Sequence, residues 1–90
     1  MPTENRTSAI PFPCDFPIKV MGKADLEFQA AALAIIRKHV PTLGEAAVHE
    51  RYSKGNKYLS LTVTVYATSQ EQLDSIYREL SANEHVVMVL

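Results

Sequence analysis

The sequence predicts an α+β domain laid out as β-α-β-β-α-β, and three observations carry that prediction. Residues 57–67 alternate without a break, with Leu59, Leu61, Val63 and Val65 on one face and Tyr58, Ser60, Thr62, Thr64 and Tyr66 on the other. That period of two marks a strand. Two other stretches, near residues 25–39 and 70–82, repeat apolar residues every three or four positions, as amphipathic helices do. These helices flank a central pair of strand patterns, with a further strand pattern outside each helix.

Residues 1–14 carry three of the five prolines (Pro2, Pro11 and Pro13) and no apolar period, so they are expected to form a mobile arm before a single domain over residues 15–90. From Phe16 the chain alternates, Phe16, Ile18 and Val20 pointing one way and Pro17, Lys19 and Met21 the other. Pro17 is tolerated because a proline at a strand's start or outer edge sacrifices no needed ladder donor. Gly22 is expected to break this strand and Asp25 to cap the first helix by accepting from its free N–H groups. Leu26, Ala30, Leu33, Ile36 and Val40 form the apolar stripe, widened by Phe28, Ala32 and Ile35. Arg37, Lys38 and His39 complement the negative end of the helix dipole, and Pro41 stops the helix.

After the Thr42-Leu43-Gly44 turn, residues 46–52 (AAVHERY) read as a polar strand suited to a sheet edge. Ser53-Lys54-Gly55-Asn56 then reads as a hairpin in which Gly55 and Asn56 supply positive φ. Thr68 and Ser69 are followed three places later by Glu71 and Gln72, so either register gives a capping box for the second helix. Its stripe is Leu73, Ile76, Tyr77 and Leu80, and it ends near Ala82-Asn83. The closing HVVMVL is strand-like and apolar on both faces.

Right-handed crossovers place both helices on one face of a four-stranded antiparallel sheet of order 4-1-3-2, the ferredoxin-like arrangement. The opposite face is expected to be an interaction surface presenting Lys19, Met21, Tyr58, Ser60, Thr62, Thr64 and Tyr66, joined by Val87 and Met88 of the last strand.

Several function classes are disfavoured. Nine Lys+Arg against ten Asp+Glu leave a net charge of −1, which gives no long-range pull on nucleic-acid phosphates or anionic lipid. The lone Cys14 cannot close an intramolecular disulfide and no Cys/His set has zinc spacing, so no metal or cofactor is expected and a reducing cytoplasm fits. There is no signal-peptide pattern and no run of about 18 apolar residues. The stretch YSKGNKYLSL half matches an RNA-binding octapeptide at Lys54, Gly55 and Tyr58. Asn56 stands where an aromatic is required, and the first strand offers only Lys19 and Met21 as stacking partners, which argues against nucleic acid.

Catalysis has no better support. Cys14 has no adjacent base, and His39, His49 and His85 fall on elements with no evident reason to converge. Glu45 and Glu50 read as solvated carboxylates. A binding reading does attach to Gly22, Lys23 and Asp25, where a glycine admits a group to the backbone, helix N–H groups can hold a carboxylate or phosphate, and Lys23 adds charge.

FPCDFPIKVMGK near the start, the S-K-G-N-x-Y-x-S hairpin at Ser53 to Ser60 and the closing V-x-M-V-L at Val86 to Leu90 together resemble the YbeD-like family of small, uncharacterised bacterial proteins. The resemblance covers about residues 12–90. It implies a ferredoxin-like fold similar to ACT domains, regulatory modules that bind effectors and usually work as paired subunits. In ACT domains a glycine after the first strand opens the effector site, and Gly22 holds the matching position. The sequence is therefore expected to encode a non-catalytic cytoplasmic regulatory or protein-interaction module that forms a homodimer or meets a protein partner. The alternative is a small-molecule effector domain built on the Gly22 turn.

Overall fold

In the computed structural model, which describes residues 11–90, the fold is organised by one long ladder. β1 (Cys14–Lys23) pairs antiparallel with β3 (Tyr58–Ala67) over the full length of both, from Cys14 opposite Ala67 to Lys23 opposite Tyr58. On the far side of β3 lies β2 (Val48–Tyr52), and on the far side of β1 lies β4 (Val86–Val89). The sheet order β2-β3-β1-β4 is the expected order read from the other edge. Two helices, α1 (Leu26–His39) and α2 (Gln70–Ala82), make the crossovers.

The period of two in β1 and β3 becomes the core directly. Ile18, Val20, Leu59, Leu61, Val63, Val65 and Ala67 are buried against Phe28, Ala32 and Ile36 of α1 and Leu73, Ile76 and Leu80 of α2. Each large apolar side chain buried this way is worth about 1.5–3 kcal/mol. Local chemistry fixes the ends of the elements. Asp25 accepts from the Phe28 N–H at 2.8 Å, and Ser69 accepts from the Gln72 N–H at 3.1 Å while the Gln72 side chain reaches back to the Thr68 N–H. The hairpin turns on Gly55 (φ 83°) and Asn56 (φ 57°), as its sequence demands.

Three expectations are corrected. The first strand begins at Cys14 rather than after it, so Cys14 sits on a sheet strand opposite Ala67; the rest of the expected arm, residues 1–10, lies outside the described residues. Gly22 does not end β1, because the ladder continues to Lys23 opposite Tyr58 and the Ala24 N–H still donates to the Lys57 carbonyl. The face of α1 is also rotated. Phe28, Ala32 and Ile36 point at the sheet, whereas Leu26 is 81% exposed and Ala30 lies outside as well.

Phe28 explains both the rotation and the glycine. Gly22 lies on the core side of β1, and a Cβ there would stand 2.3 Å from the Phe28 ring and 2.6 Å from the His85 carbonyl oxygen. The ring occupies the space a side chain would take. Beside it the pairing of β1 with β4 slips, Met21 facing Met88 and Gly22 facing Val86. The glycine thus lets α1 approach the sheet and lets the last strand close on β1.

Gly22→Ala should therefore lose about 1–3 kcal/mol of stability in urea denaturation, the range typical of overpacking. The loss should shrink in a Phe28→Ala background, where the ring is gone. Equal losses in both backgrounds would show that the ring is not what excludes the side chain.

Candidate functional site

The turn singled out in the sequence does form a hollow, of about 270 Å³, lined by Lys23, Asp25, Glu27, Phe28, Glu84, His85 and Val87. Its chemistry is not that of an anion cradle. Asp25 already engages an N–H of the first turn, the Phe28 ring fills the space over Gly22, and three carboxylates face one lysine. Helix N–H groups attract anions when nothing acidic is in the way. Here the cap and Glu27 supply the negative charge themselves.

The open face of the sheet carries the other predicted residues, and strand register sorts them into rows. Arg51 of β2, Ser60 of β3, Met21 of β1 and Met88 of β4 stand opposite one another across all four strands. The next row holds His49, Thr62 and Lys19, with Leu90 exchanging both backbone hydrogen bonds with Lys19. Farther along, Thr64 faces Pro17 and Tyr66 faces Asp15. Neither helix covers this side. Met88 is 47% exposed, Tyr66 55% and Leu90 64%, with Met88 and Leu90 together at the β4 edge and Tyr66 at the far end of β3. Val87 belongs to the other side, beside Phe28, and is exposed there.

At the hairpin end of this face a hollow of about 270 Å³ is lined by Lys19, Met21, Arg51, Tyr52, Ser53, Tyr58 and Ser60. It holds two cations and no carboxylate. The Lys57 ammonium sits 5.9 Å from the Tyr58 ring centroid. Tyr58 and Tyr66 stand at opposite ends of β3, eight residues or about 26 Å apart, too far to stack neighbouring bases.

The candidate catalytic side chains do not assemble. His39 closes α1, His49 lies on the open face of β2, and His85 follows α2. Among the described residues no group of three His, Cys, Asp or Glu side chains is placed to hold a metal ion. Glu45 and Glu50 do share a hollow, with Gln29, Leu33, Arg37 and Val48, and there Glu50 accepts from the Gln29 amide. That hollow brings no nucleophile to the two carboxylates. His39 has a structural role: with Lys38 it clasps Glu79 of α2, at 2.7 and 2.8 Å, tying the C-terminal end of α1 to its neighbour.

A family model described as a protein of unknown function, DUF493, matches residues 7–90. The chain belongs to the DUF493 family. The chain is similar to proteins named UPF0250 protein. One from Janthinobacterium sp. (strain Marseille) is 48% identical over 89 residues, covering 99% of this chain and 94% of its own, and one from Neisseria gonorrhoeae is 46% identical over 87 residues, covering 97% and 96%. A third, from Nitrosomonas europaea, is 43% identical over 83 residues, covering 92% and 95%. The resemblance to small, uncharacterised bacterial proteins is thus a family relationship, and the DUF493 match contains every strand and helix described above. Among the described residues no helix is long and apolar enough to cross a membrane.

Sequence reasoning missed Arg51 as a member of the open face. Its place there follows from pairing with Ser60, a contact between strands that no single-strand pattern displays. It also missed the clasp on Glu79. The Lys38 ammonium, and after it His39, hold the Glu79 carboxyl below the usual carboxylate range. The folded chain binds that proton less tightly than the unfolded chain, so the stabilisation is present above the unfolded carboxylate pKa and fades as pH falls through the lowered folded value. In thermal melts Glu79→Gln should be less stable than wild type at neutral pH, and the gap should begin to close below the ordinary Glu pKa of about 4.3 and vanish in stronger acid, once pH has passed the lowered folded value. A gap that persists unchanged into acid would assign the Glu79 effect to something other than its charge.

Proposed function

We propose that this DUF493 protein is a non-catalytic interaction module that pairs with a second copy of itself through the open face of its sheet, at the end where β4 lies. The observation that carries this reading is the uncovered row ending in Met88, with Leu90 beside it. Apolar side chains on a sheet that has helices on only one side are stabilised when a partner removes them from water. β4 adds a second means of attachment, since among the described residues it is an edge strand, paired on one side only, with β1.

The dimensions suit a modest interface. With β1 and β3 of ten residues each, β2 of five and β4 of four, a rise of about 3.3 Å per residue and a spacing of about 4.8 Å give a face of roughly 460 Å² before side-chain relief. Standard complexes bury about 800 Å² per partner, so a reversible dimer is the natural outcome. The lone cysteine and the near-neutral charge support work in the cytoplasm as a regulatory subunit rather than on a polyanion.

Sedimentation analysis should show a dimer at micromolar concentration. Met88→Lys should raise the dissociation constant at least about tenfold, while Leu26→Lys, on the exposed side of α1, should leave it unchanged. A wild-type chain that stays monomeric at about 100 μM, or a dimer broken by Leu26→Lys alone, would refute the pairing.

A further inference from the structure

Of the outward-facing residues of β3, Ser60 stands apart. It is 9% exposed, and its Oγ is buried with no hydrogen-bond partner. Native structures rarely leave a buried hydroxyl unmet, and an ion, a water or a ligand is the usual complement. Ser60 sits between Arg51 and Met21 in its row and lines the hollow at the hairpin end.

The other groups lining that hollow share one chemical character. Lys19 and Arg51 bring two positive charges, and among the described residues neither has a carboxylate partner. The Ser53 hydroxyl accepts from the Tyr58 N–H at 2.9 Å, which leaves its own proton to donate. Ser60 can donate as well. Met21 and the Tyr58 ring complete the lining with apolar surface. The hollow at the start of α1 has the reverse balance, with three carboxylates to one lysine.

We infer that the hollow formed by Lys19, Met21, Arg51, Ser53, Tyr58 and Ser60 is a binding site for a small organic anion, an oxyanion carried on a flat apolar body. Lys19 and Arg51 hold the oxyanion by charge-assisted hydrogen bonds, with the guanidinium able to engage two oxygens at once. Ser60 and Ser53 donate to it, and Met21 and Tyr58 receive the body. The Ser60 oxygen is closed off from water, so an entering oxyanion reaches it only when a neighbouring side chain turns aside. A volume of about 270 Å³ limits the occupant to a metabolite-sized molecule. The hollow borders the proposed pairing surface at Met21, which lies opposite Met88, but its chemistry is its own and it does not depend on the pairing.

Titrations followed by ¹H–¹⁵N NMR of the full chain, at a protein concentration where the wild type is monomeric, test the site with four probes. Benzoate and phenyl phosphate present a carboxylate and a phosphate on the same ring, benzyl alcohol lacks the charge, and inorganic phosphate lacks the ring. Saturable shifts at Arg51, Ser53 and Ser60 are expected with at least one ring-bearing anion below about 10 mM, and which one binds tells carboxylate from phosphate. Benzyl alcohol and inorganic phosphate should bind at least about tenfold more weakly. Arg51→Gln and Lys19→Gln, both surface changes that keep the fold, should each weaken binding about tenfold, and Ser60→Ala should weaken it several-fold with the rest of the spectrum intact. No saturable shift with either ring-bearing anion, equal binding of benzyl alcohol, shifts centred on Asp25 and Glu27, or full affinity in Arg51→Gln would each overturn the inference.

Discussion

The seating of the Phe28 ring over Gly22 is the contact on which the rest of the structure depends. β1 is a central strand, bound to β3 along its whole length and to β4 at its end, so whatever packs on it positions both neighbours. A side chain at residue 22 would meet the ring and the His85 carbonyl together, one from α1 and the other from the residue leading into β4. The bare backbone therefore sets how closely α1 lies on the sheet and how β4 joins it. Turned this way, α1 commits Phe28, Ala32 and Ile36 to the core and leaves Leu26 in water.

One-sided packing follows from that commitment and leaves one face of the sheet without a helix on it. Both helices pack on the Ile18–Val20 side, and neither covers the face bearing Met21, Ser60, Thr62 and Met88. Its two ends differ in character. Toward β4 it is apolar and suited to a flat partner, and toward the hairpin it is concave and cationic. The exposed side of α1, with Leu26, Ala30, Leu33 and Ala34, is the rival apolar surface. Two of these four apolar residues are alanines, which remove little area from water when covered, whereas Met88, Leu90 and Tyr66 offer large exposed side chains on the sheet side.

Most of the fold was legible in the sequence because its signals were local. The alternation of residues 57–67, the caps at Asp25 and Ser69 and the positive φ at Gly55 and Asn56 each rest on neighbours a few residues apart. The errors came where a local signal was ambiguous. Gly22 reads equally as a strand stop and as a place for a ring, and only the position of Phe28 in space decides between them. Leu26 and Phe28 both fit a helical period, so the face that α1 buries was underdetermined. The site was less legible than the fold. Ser60 looked like one polar residue among five on β3, and its burial and its cationic neighbour Arg51 arise from β2 pairing alongside it. The Glu79 clasp joins residues 40 and 41 positions apart and leaves no periodic trace.

The proposed pairing puts a second copy on the open sheet face and not on the outer side of α1. Paramagnetic relaxation of methyl signals by a soluble nitroxide, compared between dilute and concentrated protein, reads that directly. The account predicts that the Met21 and Met88 methyl groups become protected as concentration rises while the Leu26 methyls stay as accessible as before. Protection of Leu26 with Met21 and Met88 unchanged would contradict it.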